Sequence, residues 1–349
     1  MGFHLPFLPA KKRIGLTIDD DGLRYIETSH TKGEIQIHQI GMIPLDRGIM
    51  AAGKVVDQEA LELQLSLAKK DLRLSGKKVS LAVPSSVVVI RMLSLPPLPE
   101  REIRSLIEVE LESSIHLPFS RPYFDYYKLP QGIQIPAVRQ TSSVEEAPEE
   151  LEDHYLVIAA PGDLIDQYVA LLKLLNLDTV SVDIEPLALY RILALSGVSL
   201  SHDFLIVQLG LHSINVGIFQ EDIPEFLRNI PLDLENYKIQ ADEKTLTSVE
   251  LLQFLEQRNA FSSFAEDLAR ELERVINFYQ FSLKNGVAKI ERLYLTGDFP
   301  DIEKMVNYLR DRLPQLHIAQ LPLEHIQHDP AHRPVLQAYS VALGLSLRG

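Results

Sequence analysis

Hydrophobic positions along this chain change spacing in a regular way, and each change marks an element. Apolar runs at Arg13–Ile18, Leu23–Ser29 and Glu34–Pro44 alternate as half-buried strands do. Asp19-Asp20-Asp21-Gly22 and Thr31-Lys32-Gly33 part them, so the pattern predicts an antiparallel meander. Leu61, Leu65, Ala68 and Leu72 then recur at helical spacing. From Lys77 the text predicts a strand–strand–helix unit: Val79–Val83, a Pro84-Ser85-Ser86 stop, then Val87–Leu95. Leu95-Pro96-Pro97-Leu98-Pro99 ends that strand and suits a first helical turn. The helix puts Ile103, Leu106, Ile107, Leu111 and Ile115 on one face, with Glu110 at the stripe's edge, where it calls for a polar partner.

Further strands are expected at Tyr123–Leu129, His154–Ala160 and Thr179–Val182, with a helix at Leu164–Leu175. The second half repeats the first in outline. Strands at Phe204–Leu209, Ile214–Phe219 and Phe226–Pro231 precede a long amphipathic helix, Ser263–Leu283. A strand at Arg292–Leu295, a helix at Ile302–Leu313 and a closing helix at Val335–Leu347 follow. Ala338, Ala342 and Gly344 would let that last helix approach a sheet closely.

At 349 residues the chain is long enough for two domains, and 46% apolar residues can fill large cores. A net charge of −14 argues against a nucleic-acid surface. With no cysteine, disulfides, thiolate metal sites and cysteine nucleophiles are excluded. No apolar run is long enough to span a bilayer, and Pro6 and Pro9 break the Phe3, Leu5, Phe7, Leu8 patch, so no signal peptide is expected. That patch with Lys11-Lys12-Arg13 reads as a frayed tail rather than a membrane contact. Gln131–Asp153 carries six acids and two prolines without an aromatic and is expected to be a flexible acidic loop.

The words AVPSS, VIRMLSLPPL, REIRSLIEVELESSIHLPF and FDYY, in that order, resemble the PilM family of type IV pilus assembly proteins. So do VDIEPLAL, FAEDLARELERVINFYQFSL and AYSVALGLSLR, and the likeness runs from Ile14 to Arg348. The resemblance implies an α/β, actin-like (ribonuclease H-like) two-domain fold with an FtsA/PilM-type inserted subdomain. It divides the chain into a tail at 1–13, a first subdomain at 14–77 and an inserted one at 78–182. The second actin-like subdomain would take 183–231 and 291–349, with a helical subdomain at 232–290.

Actin-like proteins hold ATP in the cleft between halves, where glycine turns approach phosphate and aspartate holds hydrated Mg²⁺. The family's first turn, Gly-x-Asp-x-Gly-Ser/Thr, aligns with Gly15-Leu16-Thr17-Ile18-Asp19-Asp20. Thr17 stands for the aspartate and Asp19 for the glycine, and Asp19, Asp20 and Asp21 would face phosphates of like charge. The second turn, Asp-x-Gly, is here Gln208-Leu209-Gly210, and the adenosine-side Gly-Gly is Gly297-Asp298. Lost hydrolysis and no firm ATP or Mg²⁺ binding are therefore expected, with Asp19–Asp21 as a metal site the lesser reading. Gly48–Val55 nearly matches a P-loop, but Val55 offers no hydroxyl to Mg²⁺, and an ordinary surface loop is expected there. His325, His328 and His332 have ligand-like spacing, yet Pro330 and Pro334 break any helix, so a surface loop is expected.

The resemblance implies a non-enzymatic scaffold on the cytoplasmic face of the inner membrane, working with other pilus platform proteins. Its partner would be the short cytoplasmic N-terminal peptide of a PilN-like membrane protein, bound between the first and inserted subdomains. Pro84, Ser85, Ser86, Arg91 and Glu110 are the groove residues that follow. A nucleotide-driven ATPase, an FtsA-type division protein and a secretion-platform relative stay open, as does a homo-oligomer. An FtsA-type protein usually ends in a membrane-binding amphipathic helix and a secretion-platform relative continues into a transmembrane span; neither is expected here, which counts against both.

Overall fold

The computed structural model describes residues 12–348 apart from 32–33, 70–71, 73, 75–76, 131–151, 201–202, 211–212, 233–252, 254, 257–259 and 300. Most of the expected tail, of the acidic loop and of the stretch before residue 260 lies outside the described residues. The opening meander forms as its alternation predicts: β1 (Lys12–Asp19), β2 (Gly22–Thr31) and β3 (Glu34–Pro44) pair antiparallel. A tight hairpin follows, β4 (Met50–Ala51) and β5 (Lys54–Val55), where an ordinary surface loop was expected. Its central residues Ala52 and Gly53 sit at φ of 50° and 73°, the left-handed pair that such two-residue hairpins require.

Helix α1 (Gln58–Ala68) starts at Asp57, whose carboxylate accepts the Ala60 N–H at 2.9 Å. Strand β6 (Lys78–Val83) then lies parallel to β1. The chain next builds a separate three-stranded sheet from β7 (Val89–Leu95), β8 (Pro122–Lys128) and β9 (Asp153–Pro161). Helix α2 (Glu100–Ser113) covers one face, with Ile103, Ile107 and Leu111 buried against Leu95, Tyr155 and Val157. Helix α3 (Gly162–Leu174) leads to β10 (Asp178–Ile184), which pairs parallel with β6. The division at 78–182 thus needs correcting. Strands β6 and β10 belong to the first sheet because their ladders join β1, and the insertion lies between the end of β6 and the end of β9.

Helix α4 (Glu185–Leu195) carries the chain into the second half, where β11 (Asp203–Leu209), β12 (Ser213–Gln220) and β13 (Ile223–Pro231) repeat the meander. Helix α5 (Phe261–Asn277) follows and its last turns widen into a π-helix at Phe278–Leu283. There Lys284 and Glu225 form a buried ion pair at 2.7 Å. Then come β14 (Ile290–Gly297), α6 (Ile302–Arg312) and β15 (His317–Gln320), giving the order β13-β12-β11-β14-β15. A two-residue strand, β16 (Ile326–Gln327), returns to β3 of the first sheet. The expected closing helix is split: a 3₁₀ stretch covers Pro330–Tyr339, and only α7 (Ser340–Ser346) is α-helical. The two prolines at 330 and 334 remove N–H donors from its first turns.

The elements stack in five layers. Helices α1 and α3 cover the outer face of the first sheet, and α5 and α6 cover that of the second. Between the sheets lie α4 and α7 in one shared core with Ile26, Ala82, Phe204, Phe219 and Tyr294. Small residues set how tightly this layer closes, as expected, but not only against a sheet. A Cβ at Gly344 would lie 1.9 Å from the Ala188 carbonyl oxygen on α4, and one at Gly15 on β1 would lie 1.8 Å from the Ala342 oxygen.

Candidate functional site

The turn after β1 and the hairpin β4–β5 meet at the mouth of a cavity of about 240 Å³ between the halves. Its lining includes Thr17, Asp19, Asp20, Asp21, Gln208, Gly210 and Asp298, so the sequence-predicted cleft residues converge. Gly297 sits beside them at φ 120°, and a Cβ there would lie 2.2 Å from the Leu209 oxygen, so this turn needs glycine. The Asp298 N–H donates to that same oxygen at 2.9 Å.

Each aspartate of the first turn has a partner within the chain. Asp19 accepts the N–H groups of Asp21 and Gly22 at 3.0 Å through one oxygen and Arg24 through the other. Asp20 accepts the N–H groups of Ala52 and Gly53 at 2.8 and 2.9 Å. Tyr168, its phenol pKa raised by burial, donates to the Gly53 carbonyl at 2.6 Å. The near-match to a P-loop is therefore a hairpin turn whose amides face an aspartate. Arg24 reaches across the cleft to Asp298 at 2.7 Å and lies 4.0 Å from Asp21. Burial works against its charge, but Asp19, Asp298 and Asp21 raise its pKa above the ordinary arginine value. Sequence reading missed Arg24, although a lone cation three residues past three aspartates is a signal for pairing.

Glu185, at the start of α4, was also missed. Its carboxylate accepts the Ser85 N–H at 2.8 Å and the Ser85 hydroxyl at 2.6 Å, with Asn215 Nδ2 at 3.4 Å. Burial pushes this carboxyl above its ordinary 4.5; the two Ser85 bonds pull it back and the Asp19 charge adds to the rise. A raised carboxyl favours the protonated folded state, so its stabilisation is complete below pH 4.5 and is lost as pH climbs through the raised value. Glu185→Gln keeps the shape and removes the titration. Thermal unfolding from pH 4.5 to neutrality should therefore lose less stability in the variant than in the wild type, and parallel curves would refute this.

The five expected groove residues do not gather. Pro84, Ser85 and Ser86 line the cleft, where Ser86 donates to the Ala52 carbonyl at 3.0 Å. Arg91 lies exposed on β7 and donates to the Ile90 carbonyl. Glu110 is half-buried on α2, and its carboxylate has no polar partner among the described residues. His325 stands in a turn, His328 in the loop after β16 and His332 in the 3₁₀ stretch; all three are half-buried, and Nε2 of His325 and Nδ1 of His332 have no hydrogen-bond partner among the described residues. Among the described residues no cluster of three or more His, Asp or Glu is arranged to hold a metal ion.

A second concavity, about 560 Å³, runs between the inserted sheet and β10, an edge strand of the first sheet among the described residues. Tyr123, Phe124, Ile158, Val180, Val182 and Leu187 supply its apolar wall. At one end Asp183 pairs with Arg191, and Arg348 donates to the Val182 carbonyl at 3.1 Å. Register with β6 shifts between Thr179 and Ser181, which leaves Val180 outward and 57% exposed. The Thr179 hydroxyl is buried without a hydrogen-bond partner among the described residues. Groove and cleft abut: Val83 and Ile184 line the groove, while the next residues, Pro84 and Glu185, line the cleft.

The profile of a family described as type IV pilus assembly protein PilM matches residues 15–349. No curated protein sequence matches the chain. Among solved structures, a PilM-PilN type IV pilus biogenesis complex superposes with a TM-score of 0.72 at 21% identity, covering 97% of this chain and 99% of that one. The ethanolamine utilization protein EutJ from Carboxydothermus hydrogenoformans gives 0.51 at 13% identity, covering 98% and 91%. The fold is the actin-like two-domain fold.

Proposed function

Because this chain belongs to the PilM family of type IV pilus assembly proteins, we propose that it is an adaptor that captures a PilN-like membrane protein by its cytoplasmic N-terminal segment. It works at the cytoplasmic face of the inner membrane, alongside other platform proteins, and does not hydrolyse ATP. One observation carries this reading: the groove between the inserted sheet and the open edge of β10. An edge strand offers unpaired main-chain groups to an extended peptide, and the flanking apolar wall offers side-chain pockets. On this reading the peptide sits along β10, while Pro84–Ser86 line the adjoining cleft and Arg91 and Glu110 stand apart on β7 and α2.

A nucleotide-driven ATPase is the second reading, favoured by the two glycine turns at Gly210 and Gly297 that still border the cleft. Against it stand the small cavity, below the roughly 300–1,000 Å³ of ordinary small-molecule sites, and amides already bonded to Asp20. Calorimetry with a PilN-like N-terminal peptide, with and without Mg-ATP, separates the two. The adaptor reading expects peptide binding that Mg-ATP leaves unchanged. Tight Mg-ATP binding would restore the ATPase, and a chain that bound neither would overturn the assignment.

A further inference from the structure

The cleft between the halves already holds a cation and an anion, and both come from the chain. The hairpin turn at Ala52-Gly53 points two consecutive N–H groups at one spot, the arrangement by which main chain binds anions. The Asp20 carboxylate takes both, one with each oxygen, at 2.8 and 2.9 Å. Asp19 and Asp298 are the carboxylates that would otherwise attract a hydrated cation, and the Arg24 guanidinium bonds to both. A magnesium nucleotide does not fit these residues: its phosphates would displace Asp20 and its metal would displace Arg24. Asp19, Asp20, Asp21 and Asp298 would also face the phosphates with only Arg24 to offset them.

We infer that Asp20 and Arg24 stand in for the nucleotide, Asp20 by filling the anion seat at Ala52-Gly53 within the first half and Arg24 by tying the two halves together through Asp298. Arg24 stands on β2 of the first sheet, and Asp298 follows β14 of the second, so their ion pair spans the cleft. Arg24 is 8% exposed at its side chain, and a buried, two-armed pair of this kind holds its geometry far better than a surface pair. Glu185, at the head of α4, accepts from Ser85 of the first half as well as from Asn215 of the second sheet and adds a second tie. Closure is then a constant property of the fold, set by its own side chains. This rests on the reading above that the cleft takes no Mg-ATP.

Hydrogen–deuterium exchange on the full chain tests it. Asp298→Asn keeps the shape and removes the charge that answers Arg24 from across the cleft. Exchange at 208–210 and 297–299 should rise about tenfold, while 153–161 in the inserted sheet stays as in the wild type. Should that variant fail to fold, Arg24→Lys, which keeps the charge but loses the two-armed reach, is read at the same amides. Unchanged exchange in the folded variant would overturn the latch. Mg-ATP protecting Ala52 and Gly53 in the wild type would instead sink the nucleotide-free reading beneath it. Peptide titration of the same samples keeps the adaptor separate: wild type that binds no peptide refutes the adaptor and leaves the latch standing.

Discussion

Gly344→Val should destabilise the protein by about 3 kcal/mol or more. The reason lies in main-chain spacing. Helix α7 is pressed on both sides, against β1 at Gly15 and against α4 at Ala188. A Cβ at position 344 would lie 1.9 Å from a carbonyl oxygen and 2.4 Å from its carbon, where no rotamer change can give relief. Backbone must move, and the backbone concerned carries the core shared by both sheets, with Ile192, Phe204 and Leu343 buried around it. Thermal unfolding against wild type, with Gly344→Ala as the milder step, reads this directly. A valine variant that melted with the wild type would mean that α4 and α7 have room to part.

Val180→Glu should weaken binding of a PilN-like N-terminal peptide by about tenfold or more, roughly 1.4 kcal/mol. Val180 is 57% exposed, so a carboxylate there has water and little folding cost. It projects from the bulge of β10 at the rim of the groove, where a docking apolar side chain would have to desolvate it. Calorimetry with the peptide, and a melt to confirm unchanged stability, checks this. Equal affinity in variant and wild type would move the peptide away from β10.

The strands were legible because their alternation survives burial on one face: β3 reads exposed-buried along its first residues, and charged turns bound each run. Helix α4 was not. Its text, EPLALYRILAL, is apolar on nearly every side because it lies between two sheets, so no stripe distinguishes it from a strand. Strands β15 and β16, of four and two residues, are too short for any period to show. The cleft's glycine and aspartate turns could be picked out as local words. Their partners could not, since Arg24 and Asp298 stand 274 residues apart and meet only after both sheets have formed. The groove at β10 could not be read for a related reason: an edge is a property of strand order, and no residue in β10 announces that nothing pairs beyond it among the described residues.

Val83 and Pro84 at the end of β6, and Ile184 and Glu185 at the end of β10, turn adjacent residues toward groove and cleft respectively. The two chambers thus share a party wall one residue thick. On the adaptor reading, a substitution that widened the cleft by shifting these strand ends would also reshape the peptide's seat.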